Sequence, residues 1–127
     1  MLMIEKYLDG TREQFKAFME LPIDGPLKML NLLKFKDRVE ETGKTGAETY
    51  KAYLEATTPF FSKVNVKITF YGTPQFTLIG PEGLEWDKVL IVEYATKQDF
   101  VTMIKMEGYP SDLRKLALAD SRLIFCK

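Results

Sequence analysis

Three polar residues interrupt segments that are otherwise apolar, and they are the side chains here best placed to do chemistry. Asn31 lies in the middle of LKMLNLLKF, Glu93 inside VLIVEYA, and Arg122 beside Ile124 and Cys126. A buried amide without partners costs about 1–3 kcal/mol, so Asn31 must be bonded, either to a ligand or to a neighbouring protein group. A carboxylate such as Glu93 can serve as a base, and a guanidinium such as Arg122 can hold an anionic group. If the strand of Asn31 runs between the other two, strand spacing sets the outer Cα atoms on the order of 10 Å apart. The expected arrangement is a polar row, Glu93–Asn31–Arg122, on the floor of a pocket under helices. In it Glu93 and Arg122 are the candidate catalytic residues and Asn31 a substrate-binding one. The competing reading is a structural ion pair, or two side chains snorkelling at a sheet edge.

Aromatic residues complete the candidate pocket. Trp86, next to Asp87 and just before a strand, either lines a cavity mouth or packs in the core or at a subunit seam. Tyr50 and Tyr53 are three apart on one helical pattern, so that one packs on the sheet with its hydroxyl toward a pocket. Tyr71 can do the same from a strand. Tyr50, Tyr71 and Trp86 therefore join Asn31 as candidate substrate-binding residues. Each also has a plain packing explanation. Asp37 and Arg38 are expected to pin the loop that follows Phe35, and Asp120 to cap or turn into the last strand.

The composition excludes much else. There is no histidine, which removes the commonest metal ligand, the default general base and every Ser-His or Cys-His pair. No carboxylate set has calcium-loop spacing, so no metal is expected. Haem would need a Tyr, Met or Cys ligand that nothing in the sequence singles out. No glycine-rich nucleotide motif is present. The GKTG at 43–46 lacks the upstream glycine and feeding strand of a phosphate loop. No cofactor is therefore expected. Eighteen basic and eighteen acidic residues give no net charge, which argues against nucleic-acid binding. No apolar run approaches the roughly 20 residues of a membrane span. One cysteine, Cys126, and no secretory signature fit a reducing cytoplasm.

With 127 residues, a single domain covering 1–127 is expected. Thr11-Arg12-Glu13-Gln14 reads as a capping box opening a short helix with Phe15, Phe18 and Met19 on one face, ended by Pro22. Leu27–Phe35 is too short and too apolar for a surface helix and reads as a central strand. Residues 36–46 form an exposed loop. Ala47, Tyr50, Leu54, Phe61 and Val64 share a helical stripe, with a kink or break expected at Pro59. Val66–Tyr71 and Gln75–Ile79 read as strands separated by a bulge or turn at Gly72-Thr73-Pro74. Lys88–Ala95 is a strand. Thr96 caps a helix with Phe100, Val101 and Ile104 inward. After Gly108 and Pro110, Ser111 caps a second short helix with Leu113, Leu116 and Ala117 inward, and Arg122–Cys126 closes the chain. Without the first helix the order is β-α-β-β-α-β. That is an α+β, ferredoxin-like antiparallel sheet with helices on one face and the first strand between the third and fourth. Sixteen aromatic residues and six methionines are many for a sheet clothed on one side, so the bare face is expected to pair with a second copy.

Five strings in order, MLNLLKFKDR (29–38), GAETYKAY (46–53), IGPEGLEWD (79–87), VEYAT (92–96) and ADSRLI (119–124), resemble the domain-of-unknown-function 1330 family of the dimeric α/β-barrel superfamily. The resemblance spans about residues 8 to 125, and the helix ending in LPIDGP is similar to that family's longer branch. It implies ferredoxin-like subunits paired through their sheets into a barrel, with no settled activity. The superfamily's cofactor-independent monooxygenases, lactone isomerases, haem-using enzymes and stress proteins show that fold alone does not fix chemistry. Some family members carry a histidine in the helix before the last strand. Here that helix reads SDLRKLALAD, so any such role is absent or falls to Arg114. Two functions remain open: a small-molecule site, as in a cofactor-independent monooxygenase-like or isomerase-like enzyme, or a non-catalytic dimeric binding or stress-response module. An enclosed cavity favours the first and a solid core the second.

Overall fold

A computed structural model describes residues 7–127. Four strands, β1 (Leu27–Phe35), β2 (Val66–Gly72), β3 (Lys88–Tyr94) and β4 (Leu118–Cys126), form one antiparallel sheet in the order β2-β3-β1-β4. Four helices accompany it: α1 (Arg12–Glu20), α2 (Gly46–Phe61), α3 (Lys97–Lys105) and α4 (Ser111–Ala117). The fold is the expected α+β, ferredoxin-like one with an added N-terminal helix, and β1 runs between β3 and β4.

Strand alternation decides which residues meet the helices. From β1 these are Leu27, Met29, Asn31 and Leu33, all buried; from β3 they are Leu90, Val92 and Tyr94. Tyr50 and Tyr53 of α2 and Phe100, Val101 and Met103 of α3 pack against them, and Ala117 and Leu118 close the end at the α4–β4 junction. The other sheet face carries Leu30 and Leu32, with Ile91 and Val89 opposite them on β3 and Ile124 on β4. These side chains are only partly covered, and Phe70 and Ile124 are exposed.

Thr11 and Thr45 each close a capping box, with Gln14 and Glu48, and Thr96 caps α3 through Asp99 N. α1 buries none of its residues. Phe18 alone of its predicted apolar face is half-buried, edge-on to Phe100 and Phe125. The loop after β1 is tighter than expected: Val39 is buried and bonded to Lys44. Asp37 is exposed there, and Arg38 makes one long surface contact of 3.9 Å to Glu40.

Five expectations need correction. Gln75–Ile79 is not a strand. Pro74 lacks a donor, Gly80 and Gly83 take positive φ, and Thr77 Oγ1 donates to Gly83 O, so the segment folds on itself with Phe76, Leu78 and Ile79 exposed. α2 runs through Pro59 to Phe61 without a break; the proline forgoes its own bond one turn back, and the helix ends two residues after it. Ala47 is exposed; Gly46, Thr49, Tyr53 and Thr57 join Tyr50 as the buried residues of that helix. Pro110, not Ser111, occupies the cap position of α4, and no side chain bonds there. β4 begins at Leu118 rather than Arg122, straight out of α4.

Gly46 marks the tightest contact. A Cβ there would collide with the backbone N and O of Lys36 and with the carbonyl of Ala117. Backbone cannot yield as a flexible side chain can, so Gly46→Ala is expected to cost about 3 kcal/mol. Thr45→Ala, which removes only the cap, is expected to cost about 1 kcal/mol. Urea unfolding of both variants checks the ranking.

Candidate functional site

Helices α2, α3 and α4 do not close fully on the sheet. Between them and α1 lies a cavity of about 840 Å³ whose walls include Asn31, Tyr50, Tyr53, Tyr94, Tyr109 and Arg114. Asn31, 6% exposed, donates from Nδ2 to Met29 O at 3.2 Å and accepts from Arg114 Nη2 through Oδ1 at 3.2 Å. The central strand thus orients an amide, and the amide orients a guanidinium that reaches in from α4. Tyr53 and Tyr109 share a 2.7 Å hydroxyl–hydroxyl bond, and Tyr50 lies against both Tyr53 and Phe35.

The phenols are held neutral. Burial raises the pKa of Tyr50, Tyr53 and Tyr94 well above the ordinary tyrosine value, against the opposing pull of Arg114. Burial also raises Tyr109, to about 12. Among the described residues Tyr94 has no hydrogen-bond partner for its hydroxyl. Because no buried polar side-chain atom among the described residues lacks a partner, that hydroxyl opens onto the cavity. The site therefore sets neutral hydroxyls around the guanidinium of Arg114.

The polar row Glu93–Asn31–Arg122 is not formed. Asn31 is in register with Leu90 on β3 and Leu123 on β4. Glu93 and Arg122 stand an odd number of residues from those partners, and so belong to the opposite sheet face. There they are four residues of β1 apart, opposite Lys28 and Leu32, or ~13 Å along the strand. Glu93 instead pairs with Lys67 at 3.2 Å. Arg122 bonds Asp120 and Ser121 O, each at 2.8 Å, and lies 4.7 Å from the Tyr7 ring centroid and 5.1 Å from that of Trp86. Asp120 also accepts from Tyr7 N and Ser121 N, so it ties the N-terminal segment to β4.

Of the other candidates, Tyr50 lines the cavity. Tyr71 is 48% exposed at the sheet edge under Lys88 Nζ, and Trp86 lines a smaller hollow of about 400 Å³ beside the 73–87 loop. Tyr94 and Tyr109 were not singled out in the sequence. Tyr94 was detectable in principle, since it keeps step with buried Leu90 and Val92. Tyr109, between Gly108 and Pro110, carries no periodic signal.

Fold and cavity together define a ferredoxin-like α+β protein with a tyrosine-rich chamber on its helical side. A protein of unknown function from Rhodopseudomonas palustris is 36% identical to this chain, covers 97% of each and superimposes with a TM-score of 0.87. The chain belongs to that protein's family. A Dabb-family protein with a ferredoxin-like fold from Mesorhizobium loti is 12% identical, with a TM-score of 0.50, over 82% of this chain and 97% of that one. A dimeric ferredoxin-like protein of unknown function from Thermobifida fusca is 13% identical, with the same TM-score, over 80% and 90%. These two share the fold. No family model and no curated protein matches the chain. No helix among the described residues is long and apolar enough to cross a membrane.

The raised phenol pKa values set a sign for stability against pH. Folded tyrosines keep their protons where unfolded ones lose them, so their contribution is complete below the ordinary value near 10 and is lost as pH rises above it. Each such phenol is expected to remove about 1.4 kcal/mol per pH unit in that window. Urea midpoints should hold steady up to about pH 9 and fall beyond pH 10. The fall should be shallower in Tyr94→Phe. Absorbance at 295 nm should show four of the six tyrosines resisting ionisation until the protein unfolds.

Proposed function

We propose that this chain is a small-molecule-binding protein of the domain-of-unknown-function 1330 family, working as a homodimer in a reducing cytoplasm, with its ligand seated between the sheet and the helices. The cavity carries this reading. Its volume lies within the usual range of ligand sites, and its apolar and aromatic walls hold a few converging polar groups. At that place the helices leave a hollow, open to solvent on one side, beside the packed core.

Dimerisation rests on the bare sheet face. Leu30, Leu32, Val89, Ile91, Phe70 and Ile124 share it, and among the described residues no element of the same chain covers Phe70 or Ile124. Exposed apolar surface of this kind marks an interface. The Thermobifida fusca protein of the same fold is dimeric. Binding is favoured over acid–base catalysis because the cavity phenols stay protonated near neutral pH, where they donate hydrogen bonds and do not abstract protons. Glu93, the candidate base, pairs with Lys67 on the other side of the sheet.

A metabolite screen by thermal shift tests the ligand site. A hit on the wild-type protein should disappear in Arg114→Ala while the unliganded variant remains folded; retention of every hit would remove Arg114 from the site. Sedimentation tests the assembly. The wild type should be a dimer, and Ile91→Glu should leave a folded monomer. A wild-type monomer at micromolar concentration would refute the pairing.

A further inference from the structure

Resting on that reading of the cavity, we propose that its ligand class is the aromatic monocarboxylates, with Arg114 taking the carboxylate. The charges on the cavity wall carry this assignment. Four charged residues border it: Asp9, Arg114, Lys115 and, at its rim from the other face of the edge strand β4, Arg122. Lys115 pairs with Asp9 at 2.9 Å, and Arg122 with Asp120 at 2.8 Å. Arg114 has no carboxylate partner among the described residues. Its neighbours are neutral: the amide of Asn31 accepts from it, the Tyr50 hydroxyl lies within its hydrogen-bonding reach, and buried phenols surround it. A half-buried guanidinium has five N–H donors; Asn31 Oδ1 takes one and the Tyr50 hydroxyl is in reach of another, which leaves donors for a ligand. A cation held among neutral groups is stabilised by an incoming anion. The planar guanidinium fork fits a carboxylate in two parallel bonds.

The remaining walls choose the body of the ligand. Phe18, Phe100, Tyr50, Tyr53 and Tyr94 present ring faces and edges to the space, so an aromatic ring gains offset and edge contacts there. A single guanidinium, with the other cations already paired, suits one negative charge better than the two of a phosphate. The free Tyr94 hydroxyl, on a residue 96% buried, gives a second polar contact to a carbonyl or hydroxyl of the ligand.

Calorimetric titration of the full chain at neutral pH tests the assignment with three matched pairs: benzoate and benzamide, phenylacetate and phenylacetamide, 2-naphthoate and 2-naphthamide. At least one acid should bind about tenfold or more tightly than its amide. Arg114→Gln should erase that preference, weakening the acid far more than the amide. In isotope-labelled wild type the same acid should shift the Arg114 Nε–H and Asn31 side-chain amide signals, a readout that holds even if the variant fails to fold. Cyclohexanecarboxylate should bind more weakly than benzoate. Equal binding of acid and amide in all three pairs would overturn the carboxylate assignment while supporting the cavity as a ligand site. Acid binding that leaves the Arg114 and Asn31 signals unmoved would also overturn it. If no acid or amide binds, the ligand class is wrong, and the thermal-shift screen still reads separately whether the cavity takes any ligand.

Discussion

Every second residue of β1 must face the helices, and that alternation organises the molecule. Leu27, Met29, Asn31 and Leu33 are all buried against α2, α3 and α4, while Leu30 and Leu32 look the other way. A central strand that is apolar on both faces needs cover on both. The chain supplies it on one. The same alternation puts Asn31 alone of the three strand polar groups in the helical layer, and sends Glu93 and Arg122 to the face on which Lys67 and Asp120 satisfy them.

Asn31 then has consequences beyond its own bonds. A buried amide offers both donors and an acceptor. Here the donors go to Met29 O and, at 3.5 Å, to Leu90 O, while the acceptor takes Arg114. Strand geometry therefore fixes the position of a charge carried on α4, an element too short to be stable without its packing. Around that charge, burial keeps four phenols protonated. The result is a hollow in which neutral hydroxyls surround the Arg114 guanidinium, which a compact anion complements. α1 closes one side through Phe18 and through Lys97 Nζ, which donates to Met19 O at 2.7 Å and Leu21 O at 2.6 Å. Because α1 buries none of its own residues, its seat depends on a few such contacts.

Membership of the Rhodopseudomonas palustris protein's family and likeness to distant ferredoxin-like proteins say different things. The first extends over 97% of the chain at 36% identity. The second, near 12%, reports that the same layering of a four-stranded sheet under helices recurs. Fold kinship of that kind leaves chemistry open. What bears on function in this chain is local: the neutral tyrosines, the amide on the central strand and the Arg114 guanidinium, which has no carboxylate partner among the described residues.

The linear order of residues determined the element types and the sheet class, because apolar alternation in LKMLNLLKF and VLIVEYA and the boxes at Thr11 and Thr45 are local signals. It also marked Asn31 and Tyr50 as polar groups in apolar surroundings. It did not determine the phase of one strand against the next. Both faces of β1 and β3 are apolar, so a shift of one residue between Asn31 and Glu93 leaves no trace in the pattern yet moves a side chain through the sheet. The fate of Phe76, Leu78 and Ile79 was hidden for a similar reason: their composition suits a strand, and the glycine φ angles that bend the segment belong to the folded chain. Tertiary structure alone brought Tyr53, Tyr94, Tyr109 and Arg114 together from α2, β3, α4 and the turn before it. Contacts between residues dozens of positions apart are settled by how layers pack, and no local spacing encodes them.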